Sequence, residues 1–272
     1  EIYGVVGRFT GFLTYFSLAS LLLATSVFYS RRLLEKIVNL FVMTGYVSVL
    51  YGFLQLLGFD GIPWQNPNNS IITFFGNPNF ASAHLGMVVL ATLPRILNTK
   101  WPNRSQLINA IFVSLAIYLC IHSDSIQGIL LVMLLVPLIF YLKYLRFSSK
   151  LFFKVAFALT YLISIVFGIF AFFNKGPLAS LIYQTSFQHR RDMWSTAVEM
   201  SRDNLWTGVG LDGYGSWYRA YRDSSNVERW GLNTTSDSAH NVFLDMFSNG
   251  GIPLFISYTL IIFLELKKVL PH

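Results

Sequence analysis

The feature that most constrains this chain is a series of apolar runs, each near the length of a bilayer crossing, joined by connections that carry Lys and Arg. A membrane-spanning helix needs roughly 20 apolar residues. Seven runs approach that length: Phe9 to Tyr29, Ile37 to Leu57, Phe80 to Leu97, Leu107 to Ile121, Ile126 to Leu145, Phe152 to Phe173 and Asn241 to Leu264. The fourth is short. The seventh is interrupted by Ser248-Asn249-Gly250-Gly251-Ile252-Pro253, which predicts a bent helix or a tilted entry segment before the last apolar stretch. Composition agrees, with 54% hydrophobic and 12% charged residues, against about 25% charged in a soluble domain. The expected fold is an all-α polytopic membrane protein with about seven transmembrane helices, part of a larger helical bundle. Its segments are 1–173 with short loops, a long structured outer loop at 174–240, and a last span with its inner end at 241–272.

The basic residues set an expected direction. Arg31, Arg32 and Lys36, then Arg95, Lys100 and Arg104, then Lys143, Arg146, Lys150 and Lys154, and finally Lys267 and Lys268 fall on one side if the spans alternate. That side is predicted to be cytoplasmic. Twelve of the 20 basic residues lie there, and seven of the other eight lie in the long loop, where the rule loses force. Such flanking charges are anchors rather than a phosphate-tracking stripe, so nucleic acid is not an expected partner. The single cysteine, Cys120, permits no internal disulfide or cysteine-rich metal site and reads as a small buried hydrophobe. The chain opens on Glu1 rather than Met, and a longer parent is expected.

The loop from Lys175 to Asp237 concentrates charge and aromatic residues. Connections beyond about 12–15 residues are uncommon unless structured, functional or disordered, and the aromatic content argues against disorder. Gln188 to Arg202 reads as a helix carrying Arg190 near its start. Gly208-Val209-Gly210 reads as a tight turn packed on membrane helices, with an anion cradle of backbone N–H groups as the alternative. Tyr214, Trp217, Tyr218 and Tyr221 recur at helical spacing, consistent with an amphipathic interfacial helix or with a surface that meets sugar rings. In Ser236-Asp237-Ser238-Ala239-His240-Asn241, Asp237 or Ser238 is expected to cap the last helix. His240 would then sit in the first turn, where the helix field favours a neutral imidazole. Such a ring can take a proton from a sugar hydroxyl, with Asp237 orienting its other nitrogen. Asp245 is the main ionisable residue inside an apolar run.

Basic side chains on the outer side of a membrane suit a lipid-linked anion. A diphosphate leaving group gains charge as its glycosidic bond breaks, and guanidinium forks stabilise that charge. Arg190 is the strongest candidate, Arg191 points about 100° away on a helix, and Arg219 and Arg222 are weaker.

Three stretches carry a family resemblance: Phe75-Gly76-Asn77-Pro78-Asn79-Phe80; Arg190-Arg191-Asp192-Met193-Trp194, continuing to Gly208-Val209-Gly210; and Ala239-His240-Asn241, followed by Leu244 and Gly250-Gly251. In order and placement they resemble the O-antigen ligase and polymerase-like superfamily of bacterial membrane glycosyltransferases, from about Asn66 onward. The resemblance implies transfer of an undecaprenyl-diphosphate-linked glycan to a hydroxyl of lipid A core, a protein or a growing glycan, with inversion and without metal or other cofactor. It implies His240 as the base and Arg190 as the diphosphate contact. Arg191, Asn77, Asn79, Gln127, Arg219, Arg222, Tyr214 and Asp237 are the expected substrate contacts. The implied location is the bacterial inner membrane, active site outward. One departure stands out: Ser123-Asp124-Ser125-Ile126-Gln127-Gly128 has Ile126 near the place of a family arginine, leaving Gln127 and the loop arginines to serve the diphosphate.

Turn formation and capping is the economical role of Gly76-Asn77-Pro78-Asn79, and His84 reads as a helix-packing or water-contacting residue rather than a metal ligand. The alternatives to glycan transfer are a solute transporter, disfavoured by the scarcity of ionisable groups within the runs, and a noncatalytic scaffold, in which Arg190 and His240 would be replaceable.

Overall fold

In a computed structural model, the structure describes residues 2–4, 11–64, 66, 70–98, 103–145, 150–177, 179 and 185–269. Phe9, Lys100 and Arg146, which figured in the spans and basic clusters, lie outside the described residues, as does the side chain of Lys268. The chain is an all-α polytopic membrane protein, with no strand among the described residues. Its helices are α1 (Phe12–Phe28), α2 (Arg31–Leu56), α3 (Pro78–Leu97), α4 (Arg104–His122), α5 (Gln127–Phe140), α6 (Leu151–Phe172), α7 (Thr185–Asp203), α8 (Tyr214–Tyr221), α9 (Ser224–Trp230) and α10 (Val242–Val269). A π-helical turn, Tyr141–Leu145, extends α5, four residues after Pro137 removes one N–H from the ladder. Among the described residues six helices are long and apolar enough to cross a membrane: α2, α3, α4, α5 with its π turn, α6 and α10. The first expected span is represented by α1, with 17 residues.

The chain divides into two compact units, 29–182 and 1–28 with 183–272. In the first, polar caps start α2, α3 and α4. Ser30 accepts the Leu33 N–H, Asn77 accepts the Asn79 N–H with Pro78 next in line, and Asn103 forms a reciprocal box with Gln106. Asn77 thus fills its expected capping role. The core gathers Val49, Leu85, Val89, Leu119 and Cys120. Helices α3 and α5 approach through small residues, as membrane interfaces favour: the Ser82 hydroxyl accepts the Gly128 N–H at 3.1 Å, and a Cβ on Gly86 would stand 2.9 Å from the Gly128 carbonyl. His84 packs edge-on against Phe41 at a centroid distance of 5.2 Å. By contrast, α6 buries only Ala171, leaving the apolar sides that suit lipid.

In the second unit α7 presents Met193, Ala197 and Met200 at one-turn spacings to a core shared with Tyr214, Tyr218 and Ala239. Tyr214 and Tyr218 of α8 are fully buried, and the Tyr214 hydroxyl donates to the Met193 carbonyl at 2.8 Å. This corrects the expectation of a Tyr-rich surface. Those two rings fasten α8 to α7, while Trp217 remains exposed.

Helix α10 bends where expected, at Gly251 with φ 65°. Pro253 has no N–H for the Asn249 carbonyl, and the turned backbone withdraws the Ile252 N–H from the Ser248 carbonyl. The glycine-rich loop replaces both bonds: Val209 N–H donates to Ser248 at 2.8 Å, Gly210 N–H to Asn249 at 3.1 Å, and Ile252 N–H to the Leu205 carbonyl at 2.7 Å. Gly208 and Gly251 permit this contact because both have positive φ and both abut backbone. A Cβ on Gly251 would stand 2.5 Å from the Leu205 oxygen. Gly251→Ala is therefore expected to destabilise the loop by about 2–3 kcal/mol or more, read as a lowered Tm in detergent, while Gly231→Ala, also at positive φ but in open space, should cost less.

Candidate active site

The candidate site is built in the second unit where α7 meets the loop leading into α10. Arg190 is half-buried at the first turns of α7, its guanidinium 5.9 Å from the Phe187 ring centroid. Burial lowers its pKa from the usual value. A guanidinium short of water is one that gains from an anionic partner. Arg191 is exposed on another side of the helix.

His189, the residue before Arg190, adds a second side chain at this end of α7. Its ring stands edge-on to Trp230 at 4.6 Å. Burial lowers its pKa, opposed by the charge of Asp192 and reinforced by that of His240. The imidazole next to Arg190 thus lies within electrostatic reach of His240, which relates the start of α7 to the loop before α10. Beside it, Asp192 receives both Arg229 Nη2 at 2.7 Å and Nε at 3.0 Å, and Trp230 Nε1 at 2.7 Å. This bidentate pair clamps α9 onto α7 across 37 residues of sequence, a spacing with no local signal.

His240 is exposed, and its backbone has φ 51°. It lies outside the first turn of α10, correcting the expected placement and with it the helix-field argument for a neutral ring. The cap is Asn241, whose Oδ1 accepts the Phe243 N–H at 3.1 Å, not Asp237 or Ser238. Those residues are engaged in their own turn, in which the Ser236 hydroxyl donates to the Ser238 carbonyl at 2.7 Å and the His240 N–H donates to the Ser238 hydroxyl at 3.4 Å. Among the described residues the His240 ring makes no hydrogen bond, and no group of carboxylates, histidines and cysteine forms a metal cage.

Asp237 is exposed and lines a cavity of about 190 Å³ with Asp212, Asp245, Asn249 and Tyr15. Carboxylates there accept hydrogen bonds from hydroxyls and repel phosphates. Tyr214, by contrast, is sealed in the core, and burial followed by the Tyr218, Asp245 and Asp237 charges raises its pKa. It supports the site from beneath and offers no surface to a substrate, contrary to expectation. Arg222 is likewise engaged, donating to the carbonyls of Leu232 at 2.6 Å, Thr234 at 2.8 Å and Gly231 at 3.3 Å, so it straps the 231–234 loop. Arg219 is exposed and makes a long contact of 3.4 Å to the Asn233 carbonyl. The anion cradle at Gly208-Val209-Gly210 is also ruled out in its simplest form, because the Val209 and Gly210 N–H groups serve α10.

Asn77, Asn79 and Gln127 belong to the other unit. Asn77 and Asn79 form the turn into α3, and Gln127 opens α5 behind a turn in which the Ser70 hydroxyl donates to Asp124.

Comparison with curated proteins and with solved structures returns no match. The glycine clasp, the Arg190 helix and the His240 loop all fall within the stretch 111–259, which matches the family model described as O-antigen ligase (Wzy_C). That stretch is more than half of the chain, and the chain belongs to the O-antigen ligase family.

Proposed function

We propose that this protein transfers a glycan from undecaprenyl diphosphate to an acceptor hydroxyl, such as one on lipid A core, with inversion at the anomeric carbon. The observation that carries this reading is that one unit holds both a half-buried Arg190 and an exposed His240, with His189, adjacent to Arg190 in the chain, within electrostatic reach of His240. Arg190 holds the diphosphate and stabilises the charge that grows on it as the bond to the sugar breaks. His240 accepts the hydroxyl proton as the oxygen attacks the opposite side of that carbon. Asp237 accepts hydrogen bonds from sugar hydroxyls. Arg191 and Arg219, both exposed, meet the outlying phosphate or headgroup charge.

Reconstitution with undecaprenyl-diphosphate-linked glycan and lipid A core tests the reading. One glycan added per acceptor is the expected product mass. A ladder of donor-linked repeats would make the protein a polymerase, and label on a protein hydroxyl would make it a protein O-oligosaccharyltransferase. An intact donor with every acceptor class would contradict glycan transfer.

The site is proposed to face the periplasm of the bacterial inner membrane, on the strength of the asymmetric Lys and Arg clusters. Asn226 is 1% exposed and hydrogen-bonded to Tyr218, so exposed Glu228 and Lys150 are the appropriate probes. In a Cys120→Ala background, Glu228→Cys should react with an impermeant maleimide from outside and Lys150→Cys only after permeabilisation. Labelling of both from one side would overturn the orientation.

A further inference from the structure

We propose that Asp245 is the positioning residue for His240, holding in place the loop that presents the imidazole; the inference rests on the reading of His240 as the base. Asp245 is the fourth residue of α10, and side chains on a helix lean toward its N-terminus. Its Oδ1 accepts the Ala239 N–H at 2.7 Å, reaching back over the first turn to the residue beside His240. Ala239 is fully buried among Met193, Tyr214 and Tyr218. A buried backbone N–H needs a partner, and here the partner is a carboxylate.

The next residue explains why so strong a bond is placed there. His240 has φ 51°, a left-handed conformation that is unfavourable for an L-residue and persists where the surroundings determine it. The His240 N–H to Ser238 bond, at 3.4 Å, is long and local. The Asn241 side chain caps onward into α10. The Asp245 bond is the one of these that ties the buried start of the turn to the body of the helix.

The helix end that carries Asp245 is itself anchored. The Asp245 carbonyl accepts the Asn249 Nδ2–H at 2.9 Å, and Asn249 Oδ1 in turn accepts the Tyr214 N–H at 3.0 Å. The tether therefore runs from the His240 loop through α10 to the core of the same unit. It also accounts for an ionisable residue near the end of an apolar span, where such groups are expensive.

The discriminating variants are Asp245→Asn, which keeps an oxygen for the Ala239 N–H, and Asp245→Ala, which does not. Both are made in the full chain in nanodiscs. Hydrogen exchange is followed in the peptide covering 236–242, and transfer is followed from undecaprenyl-diphosphate-linked glycan to lipid A core. Asp245→Ala should unprotect the Ala239 amide and lower kcat by about 10- to 100-fold, the scale of a small misplacement, with the donor KM within about twofold. Asp245→Asn should keep protection and stay within about fivefold of the parent rate, since a neutral acceptor is weaker than a charged one.

In a His240→Ala background Asp245→Ala should add less than about twofold, because its effect passes through the imidazole. Equal losses in the Asn and Ala variants, additive loss in the double variant, or unchanged Ala239 protection would overturn the assignment. If His240→Ala alone kept full turnover, the base reading would fail, and the exchange experiment would still decide whether Asp245 holds the loop. Should Asp245→Ala not survive extraction, Asp245→Glu displaces the same carboxylate by a methylene and is expected to give a partial kcat loss; parent-like kcat and exchange would count against the tether.

Discussion

His240→Ala is expected to lose about 10² to 10⁴ in transfer rate, the usual contribution of a general base, while donor binding survives. The ring is exposed at the end of a tethered loop and makes no hydrogen bond among the described residues, so removing it leaves no hydrogen bond of the fold unmade. The surrounding turn is held by backbone and by Ser238, Asn241 and Asp245. The loss should therefore appear in single-turnover transfer and not in thermal stability or in the amount of lipid-linked donor retained. Near-normal turnover in a folded His240→Ala protein would defeat the base mechanism.

Arg190→Lys is expected to weaken transfer by about 10- to 100-fold, the range set by losing a charged hydrogen bond, even though the formal charge is unchanged. A guanidinium offers a planar fork to two phosphate oxygens, whereas an ammonium acts as a single point charge. Arg190 also lies against Phe187, which is 3% exposed, and the shape of that contact goes with the guanidinium. Donor affinity and turnover should fall together, because the diphosphate is bound before reaction and charged further during it. Unchanged affinity and turnover would remove Arg190 from this role. Burial disfavours the protonated form of the adjacent His189, which makes that ring a poor substitute for the lost fork.

The apolar spans were legible because a bilayer imposes a length that few other environments demand. The bend in α10 was legible from Gly250-Gly251-Ile252-Pro253, and α7 and α8 from one-turn spacings. The direction in which α8 faces was not, since Tyr214 and Tyr218 at four-residue spacing describe a core stripe as well as an interfacial one. The cap of α10 was misread for a related reason. Asp237, Ser238 and Asn241 are all competent caps within five residues, and the choice depends on the left-handed backbone at His240. Contacts across long sequence distances had no local mark. Neither the pairing of Val209 and Gly210 with the carbonyls of Ser248 and Asn249 nor the Asp192 clamp on Arg229 and Trp230 can be read from spacing. The glycines at 208, 210, 250 and 251 signalled a close approach without naming its partner.

The central claim is that a lipid diphosphate binds at the Arg190 end of α7, beside the loop that carries His240. A cryo-EM map of the full chain in nanodiscs with undecaprenyl diphosphate tests it most directly. The account predicts diphosphate density within hydrogen-bonding distance of the Arg190 guanidinium and on the His240 side of α7, lost in Arg190→Ala. Ordered diphosphate density elsewhere, with Arg190 making no contact to it, would contradict the account.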